Sequence, residues 1–296
     1  MEPDLNALAV FNLVAEERSF RAAADRLGIT RSAVSQTIRR LEETLGIALV
    51  QRTTRSVSLT EAGERLYSDV APALADMRVA IEATGGLRGE PRGQLRLAVS
   101  SIAERFLSGP FLASFATAHP EIQIDITVTD EEFDIVAEGY DAGVRLGEVI
   151  AQDMIAVSVA GDERQLAVCA PEYGKRFGIP SHPSELSAHR CIGWRPSPKA
   201  APYRWEFAEN GKEFAVAVAP EITTNDMALM IKLAIAGAGI TFGMEESFRP
   251  AIERGELVPL LEEYCPYFAG FYLYYPNRRN LAPKLRALID HVQRCK

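Results

Sequence analysis

Between Ser32 and Arg39 the chain sets out groups that can read another molecule: Ser32, Ala33, Ser35, Gln36 and Arg39. On a helix, positions separated by three, four and seven residues share one face. Two hydroxyls, an amide and a guanidinium would therefore stand together, with Arg40 beside them, opposite the apolar Val34, Ile38, Leu41 and Leu45. The chemistry this suits is recognition in the major groove of double-stranded DNA. Hydroxyls and amides bond base edges there, while guanidiniums meet guanine or phosphate.

The elements that must hold this set lie on either side of it, within FRAAADRLGITRSAVSQTIRRLEETL from Phe20 to Leu45. Phe20, Ala23, Ala24 and Leu27 repeat at helical spacing, and Gly28 can stop that helix in the left-handed region, where a residue without a Cβ is at ease. Thr30 or Ser32 then caps a second helix by accepting from its free amides. Leu49-Val50 and Ser56–Leu59 read as strands around Gln51–Arg55, so Arg52, Thr54 and Arg55 would sit on a hairpin suited to lie along the DNA backbone. The bland alternative is an amphipathic helical hairpin with a solvated basic face.

A second group of polar residues follows further on. Ser100-Ser101 ends an expected strand and is read as opening onto a helix. Thr223-Thr224-Asn225-Asp226 precedes a helix at Met227–Ala236, and Arg145 ends the strand in DAGVRLGE. Hydroxyls and helix amides with a guanidinium could hold a carboxylate. Each has a structural reading beside it: Ser and Thr as helix caps, Arg145 as a partner of Glu148 or Asp141.

Charge is distributed in keeping with this division. The whole chain carries −8, yet residues 31–55 hold five arginines against two glutamates. A locally basic surface on an acidic body fits selective rather than indiscriminate binding of nucleic acid. No apolar run is long enough for a membrane span, and Glu2 and Asp4 stand where an export signal would be basic, so a cytoplasmic protein is expected. The four cysteines are scattered without a C-x-x-C pair and read as buried small residues. No metal, cofactor or enzymatic activity is expected. The four histidines lack ligand spacing, and the familiar nucleophile, phosphate-loop and zinc-protease patterns are missing. Gly237-Ala238-Gly239 follows a helix rather than a strand and reads as a turn.

From Thr60 to about Ala83 one helix is expected. Its Leu59, Gly63, Leu66, Val70, Ala73, Met77 and Ala80 form a seam at heptad spacing. A partner helix would cover it, although packing on its own domain is the other reading, and Pro72 should kink it. LRGEPRGQ, residues 87–94, reads as a hinge, with the boundary at Pro91. Beyond it the pattern is α/β. Strands are expected at Leu95–Ser100, Ile122–Val128, Ala142–Leu146, Gln165–Ala170, Phe214–Val218, Gly239–Phe242 and Gly270–Tyr275. Helices are expected at Phe106–Ala118, 132–138 and Pro283–Val292. This order calls for a parallel sheet with helices on both faces.

LNALAVFNLVAEERSFRAAADRLGITRSAVSQTIRRLEETLGIALVQRTTRSVSLTEAG resembles the DNA-binding domain of bacterial LysR-type transcriptional regulators, and the downstream layout extends the resemblance along the chain. It implies a winged helix-turn-helix at 1–58, a dimerisation helix at 59–86, the hinge at 87–94 and a two-lobed α/β effector domain at 95–296. That body would resemble periplasmic binding proteins, with one lobe of 95–162 and 268–296 and the other of 163–267. It also implies a homodimer or homotetramer on a two-fold-related operator. A small effector, by default an organic or aromatic acid, would lie between the lobes against Ser100, Ser101, Arg145, Thr224 and Asn225. The resemblance brings CIGWRP, hence Trp194, near that cleft, with lobe packing its other reading. The alternatives are a two-lobed solute-binding protein, which would not need residues 1–63, and a DNA-binding repressor that takes no ligand.

Overall fold

The computed structural model describes residues 4–52, 57–86, 90–103, 106–131, 133–159, 161–277 and 281–295. Two compact units divide between Glu90 and Pro91, and residues 133–141 and 278–283 group with the first.

In the first unit, α1 (Leu5–Glu17), α2 (Phe20–Leu27) and α3 (Arg31–Leu45) enclose a core of Phe11, Val14, Ala23, Val34 and Ile38. Each turn has a local cause. Ser19 caps α2 by accepting from Ala22 N at 3.2 Å, and Gly28 closes it at φ 65°. Thr30, rather than Ser32, caps α3 by accepting from Ala33 N at 3.2 Å. A short hairpin follows, β1 (Val50–Arg52) antiparallel to β2 (Val57–Leu59). Its tip, which includes Thr54 and Arg55, lies outside the described residues, as does the Arg52 side chain.

The long helix α4 (Glu61–Gly86) carries Pro72 inside it. Its expected seam divides. Leu59 and Gly63 are buried and Leu66 packs on the same core, so this end is used within the unit. Ala73, Met77 and Ala80 remain exposed, Met77 at 48%. Tyr67 Oη donates to the Ala137 carbonyl at 2.6 Å. The helix expected at 132–138 is a turn instead. Asp134 accepts from Val136 N at 2.8 Å and Ala137 N at 3.2 Å, and that local side-chain bonding competes with a helical ladder.

The second unit is built on two sheets. The hinge expected at 87–94 is shorter in its described part, because Gly93 and Gln94 already belong to β3; residues 87–89 lie outside the described residues. β3 (Gly93–Val99) is followed by α5 (Gly109–Ala118), β4 (Ile122–Val128), β5 (Ala142–Leu146) and β6 (Met154–Ser158). The chain then begins the other sheet with β7 (Asp162–Cys169), α6 (Pro171–Phe177) and β8 (Cys191–Trp194), adds β9 (Trp205–Glu209) and β10 (Lys212–Val216) as a separate two-stranded hairpin, and continues the sheet with β11 (Ile222–Thr224) and α7 (Met227–Ile235). β12 (Ile240–Met244), α8 (Glu245–Glu253), β13 (Val258–Leu260) and β14 (Tyr267–Ala269) complete it. β15 (Phe271–Pro276) and α9 (Pro283–Arg294) return to the first sheet.

The strand orders are β4-β3-β5-β15-β6 and β11-β8-β12-β7-β13, with β14 also on β7. β3 runs parallel to β4 and β5, and β8 parallel to β11 and β12. Neither sheet is the purely parallel one expected. β15 enters antiparallel to β5 and β6, and β7 is antiparallel to β12, β13 and β14, because the chain passes between the sheets twice. A core under the second sheet gathers Trp205, Phe207, Phe242 and Phe248. Gly237 takes φ 76° in the turn between α7 and β12, so Gly237–Gly239 is a connection and no phosphate loop.

Candidate functional site

The first site is the outer face of α3. Burying Val34, Ile38 and Leu41 leaves Ser32, Gln36, Arg39 and Arg40 exposed, with Ala33 and Ser35 half-buried at its edge. Arg18 and Arg26, elsewhere in this unit, are held by Glu64 and by Glu16 and Glu17. Arg31, Arg39 and Arg40 form no ion pair with any described residue. The guanidiniums of α3 therefore keep their charge for an outside anion.

The sequence reading missed Glu42. Its Oε1 accepts from Leu49 N at 2.8 Å and Val50 N at 3.1 Å, pinning the start of β1 to α3. The only signal was an acid four residues before Gly46, which by itself says nothing of amides beyond the turn.

The second site is a cavity of about 300 Å³ in the second unit, walled by Ile102, Leu146, Trp194, Tyr203, Met227 and Phe242. β3 delivers Ser100 to it, β5 delivers Arg145 and β8 delivers Trp194. These three of the expected effector residues come together. Ser101 and Asn225 line an adjoining opening of about 600 Å³, and Thr224 lines neither. Thr224 Oγ1 accepts from Asp226 N at 3.1 Å, and Asp226 caps α7 by accepting from Leu229 N at 3.1 Å. Arg145 is buried and donates to the backbone carbonyl of Glu131.

Ser100 and Ser101 do not open onto a helix; Ser101 and Ile102 form a turn, and α5 starts at Gly109, with Pro110 in its first turn. Their donors turn to Asp130 instead. Ser100 Oγ donates to Asp130 Oδ1 at 2.7 Å, and Ser101 N to the same oxygen at 2.9 Å. A carboxylate thus occupies the place the sequence reserved for a ligand's, and it belongs to the chain. Tyr203 Oη donates to Gln165 Oε1 at 3.2 Å, and burial pushes its phenol up. The Trp194 indole Nε1 and the Ser101 hydroxyl are buried with no partner among the described residues.

The cysteines form no pairs. Burial pushes the thiols of Cys169 and Cys265 up to about 11 and that of Cys191 up to about 12, so none is a ready thiolate at neutral pH. Cys295 is exposed.

Known proteins resolve what these two sites belong to. Residues 5–64 match the bacterial regulatory helix-turn-helix protein model of the lysR family, and residues 88–296 match the LysR substrate binding domain. The chain belongs to the LysR family. This LysR-type regulator is 37% identical over 293 residues to YcaN, an uncharacterized HTH-type transcriptional regulator of Escherichia coli, covering 99% of this chain and 96% of the relative. CrgA, a LysR-type transcriptional regulator from Neisseria meningitidis, superposes with a TM-score of 0.60 at 27% identity, covering 99% of both chains. Full-length LysG from Corynebacterium glutamicum, solved with bound effector Arg, has a TM-score of 0.64 at 21% identity and 99% coverage of both, a likeness of fold. The LysR-type regulator thus joins a helix-turn-helix DNA-binding domain to an effector-binding domain. Among the described residues no helix is long and apolar enough to cross a membrane.

Proposed function

We propose that the chain acts in the cytoplasm as a homo-oligomeric regulator that reads a two-fold-related operator and changes its grip on it when a small molecule enters the cavity beside Arg145. In this reading Ser32, Ala33, Ser35, Gln36 and Arg39 meet base edges and nearby phosphates, while Thr30, Arg52, Thr54 and Arg55 hold the backbone. Ser100, Arg145 and Trp194 contact the ligand, with Ser101, Thr224 and Asn225 at or near its entrance. A shift between the two sheets on binding passes through residues 87–94 to the recognition helices. Such coupling requires only that the ligand favour one arrangement over the other.

The observation that carries the reading is the face of α3, whose Ser32, Gln36 and Arg39 are exposed while Arg39 has no ion-pair partner among the described residues. The test is to incubate the full-length protein with sheared genomic DNA of its source at moderate salt and sequence what it retains. Sharp peaks containing inverted repeats are expected. Uniform recovery along the genome, independent of sequence, would overturn operator reading. A ligand-independent repressor would give the same peaks but no change on addition of any cavity ligand, and titration of a recovered site separates the two.

A further inference from the structure

The cavity beside Arg145 has a chemical bias that the general idea of an effector pocket leaves open. A ligand carboxylate needs donors, and at the end of β3 the Ser100 hydroxyl and the Ser101 amide are committed, which leaves it only the Ser101 hydroxyl and the Trp194 indole among the described residues without a partner. Ser100 Oγ and Ser101 N both point at Asp130 Oδ1, 2.7 and 2.9 Å away. The Arg145 guanidinium donates to the Glu131 carbonyl. Asp130 Oδ2, by contrast, accepts from no described residue. Asp130 lines both the 300 Å³ cavity and the adjoining 600 Å³ opening.

The acids around Asp130 reinforce the bias. Glu148 lines the cavity, Glu131 and Asp226 line the opening, and Arg145 is the one cation among the described residues bordering either. An anionic ligand placed here meets like charge, and one that displaced Asp130 would strand a carboxylate in a partly buried site. A protonated amine meets an acceptor already oriented by two donors on its other oxygen. The remaining walls are apolar and aromatic, including Trp194, Phe242, Met227 and Met244, and fit a ring or a short hydrocarbon body.

We propose that this cavity selects a small aromatic or apolar amine, with the ammonium group donating to Asp130 Oδ2 and the ring lying among Trp194, Met227 and Phe242. The inference rests on the reading of the cavity as the effector site and narrows it from acids to cations. Asp130 then has two tasks. It closes the strand end by satisfying Ser100 and Ser101, and it selects ligand charge.

The full-length protein is titrated calorimetrically with 2-phenylethylamine and with 3-phenylpropionate, which match in ring and chain length and differ in the sign of the head group. The wild type is expected to bind the amine at least tenfold more tightly than the acid. Asp130→Asn keeps an oxygen for Ser100 and Ser101 but removes the charge. It should weaken the amine at least tenfold and narrow or reverse the preference, with an unchanged melting temperature showing that the fold survives. The wild-type ranking needs no variant and stands as a separate measurement. Tighter binding of the acid, lost in Arg145→Ala, overturns the amine proposal while leaving the cavity as the effector site. Failure of the amine to bind the wild type, or equal amine binding in Asp130→Asn, also overturns it. The operator recovery described above judges the regulator reading independently.

Discussion

A single oxygen of Glu42 accepts from the backbone amides of both Leu49 and Val50, at 2.8 and 3.1 Å, across the turn that separates α3 from the hairpin. Leu49 and Val50 are buried, so their amides have no water to fall back on. Glu42 therefore fixes where β1 begins relative to α3. Replacing it with alanine leaves two buried donors unmet, at a cost of about 1–3 kcal/mol. Glu42→Ala should lower the unfolding midpoint of residues 1–86 in urea and weaken operator binding, whereas Glu42→Gln, which keeps an acceptor, should lose less. Equal stability for wild type and Glu42→Ala would mean that the hairpin is held by its side chains alone.

Gly63 sits at the other end of that junction. A Cβ at this position would overlap the Leu49 carbonyl oxygen, which accepts from Thr60 N at 2.9 Å. Because the obstacle is backbone, it cannot rotate away. Gly63→Ala should destabilise the unit by about 1–3 kcal/mol, the usual cost of overpacking, even though alanine is the better helix former. A rise in melting temperature would show that α4 can slide to make room.

How far the sequence reaches depends on how local each cause is. Gly28 at φ 65° and Thr30 capping Ala33 follow from residues at most five apart, and both were readable. Asp134 was equally local, yet its neighbours have a helical apolar pattern that concealed the competing turn. The cavity was only half legible. Ser100, Arg145 and Trp194 lie at strand ends, where open α/β sheets place ligands. The pairing of Ser100 with Asp130 spans thirty residues and depends on β3 lying beside β4, a tertiary fact with no trace in either segment. The return of β15 between β5 and β6 was hidden for the same reason, and with it the mixed character of the sheet.

Arg39 is exposed on α3 and its guanidinium is unpaired among the described residues. Arg39→Ala should leave the melting temperature unchanged and cost operator binding about 1–3 kcal/mol if the side chain reads a base. Affinities measured against one recovered operator at several salt concentrations distinguish the roles. A phosphate contact lowers the salt slope by about one and affects all sequences alike; a base contact relaxes specificity at one position. Unchanged affinity removes Arg39 from the interface.

His291 links α9 to α5 through Ser114, whose Oγ lies 2.8 Å from its Nε2. Burial, then the nearby Arg294 and His119, push its pKa below the usual 6.5. The neutral form is thus favoured in the folded protein. Its contribution to stability is fully present above pH 6.5 and is lost as the pH falls through the lower folded value. Urea midpoints measured from pH 8 downwards should decline below about 6.5, and His291→Gln should flatten part of that decline. An identical pH profile for the variant would place the acid sensitivity elsewhere.

Met77 bears on how copies of the chain meet. Of the seam positions, Leu59 at the end of β2 and Gly63 and Leu66 on α4 are engaged with the first unit's own core and Val70 is half-buried, which leaves Ala73, Met77 and Ala80 exposed. Met77 is 48% exposed and Ile81, one turn further, 70%. Apolar side chains repeated along an open helix face are stabilised when a second helix removes them from water, at about 25 cal/mol per Å² buried. Met77→Glu puts a charge into that seam without touching the core beneath Gly63. It should shift the protein toward monomer in light scattering at micromolar concentration and abolish high-affinity binding to a two-fold site, while binding to an isolated half-site persists. A variant that remained dimeric would assign dimerisation to another surface and leave Met77 a solvent-facing residue.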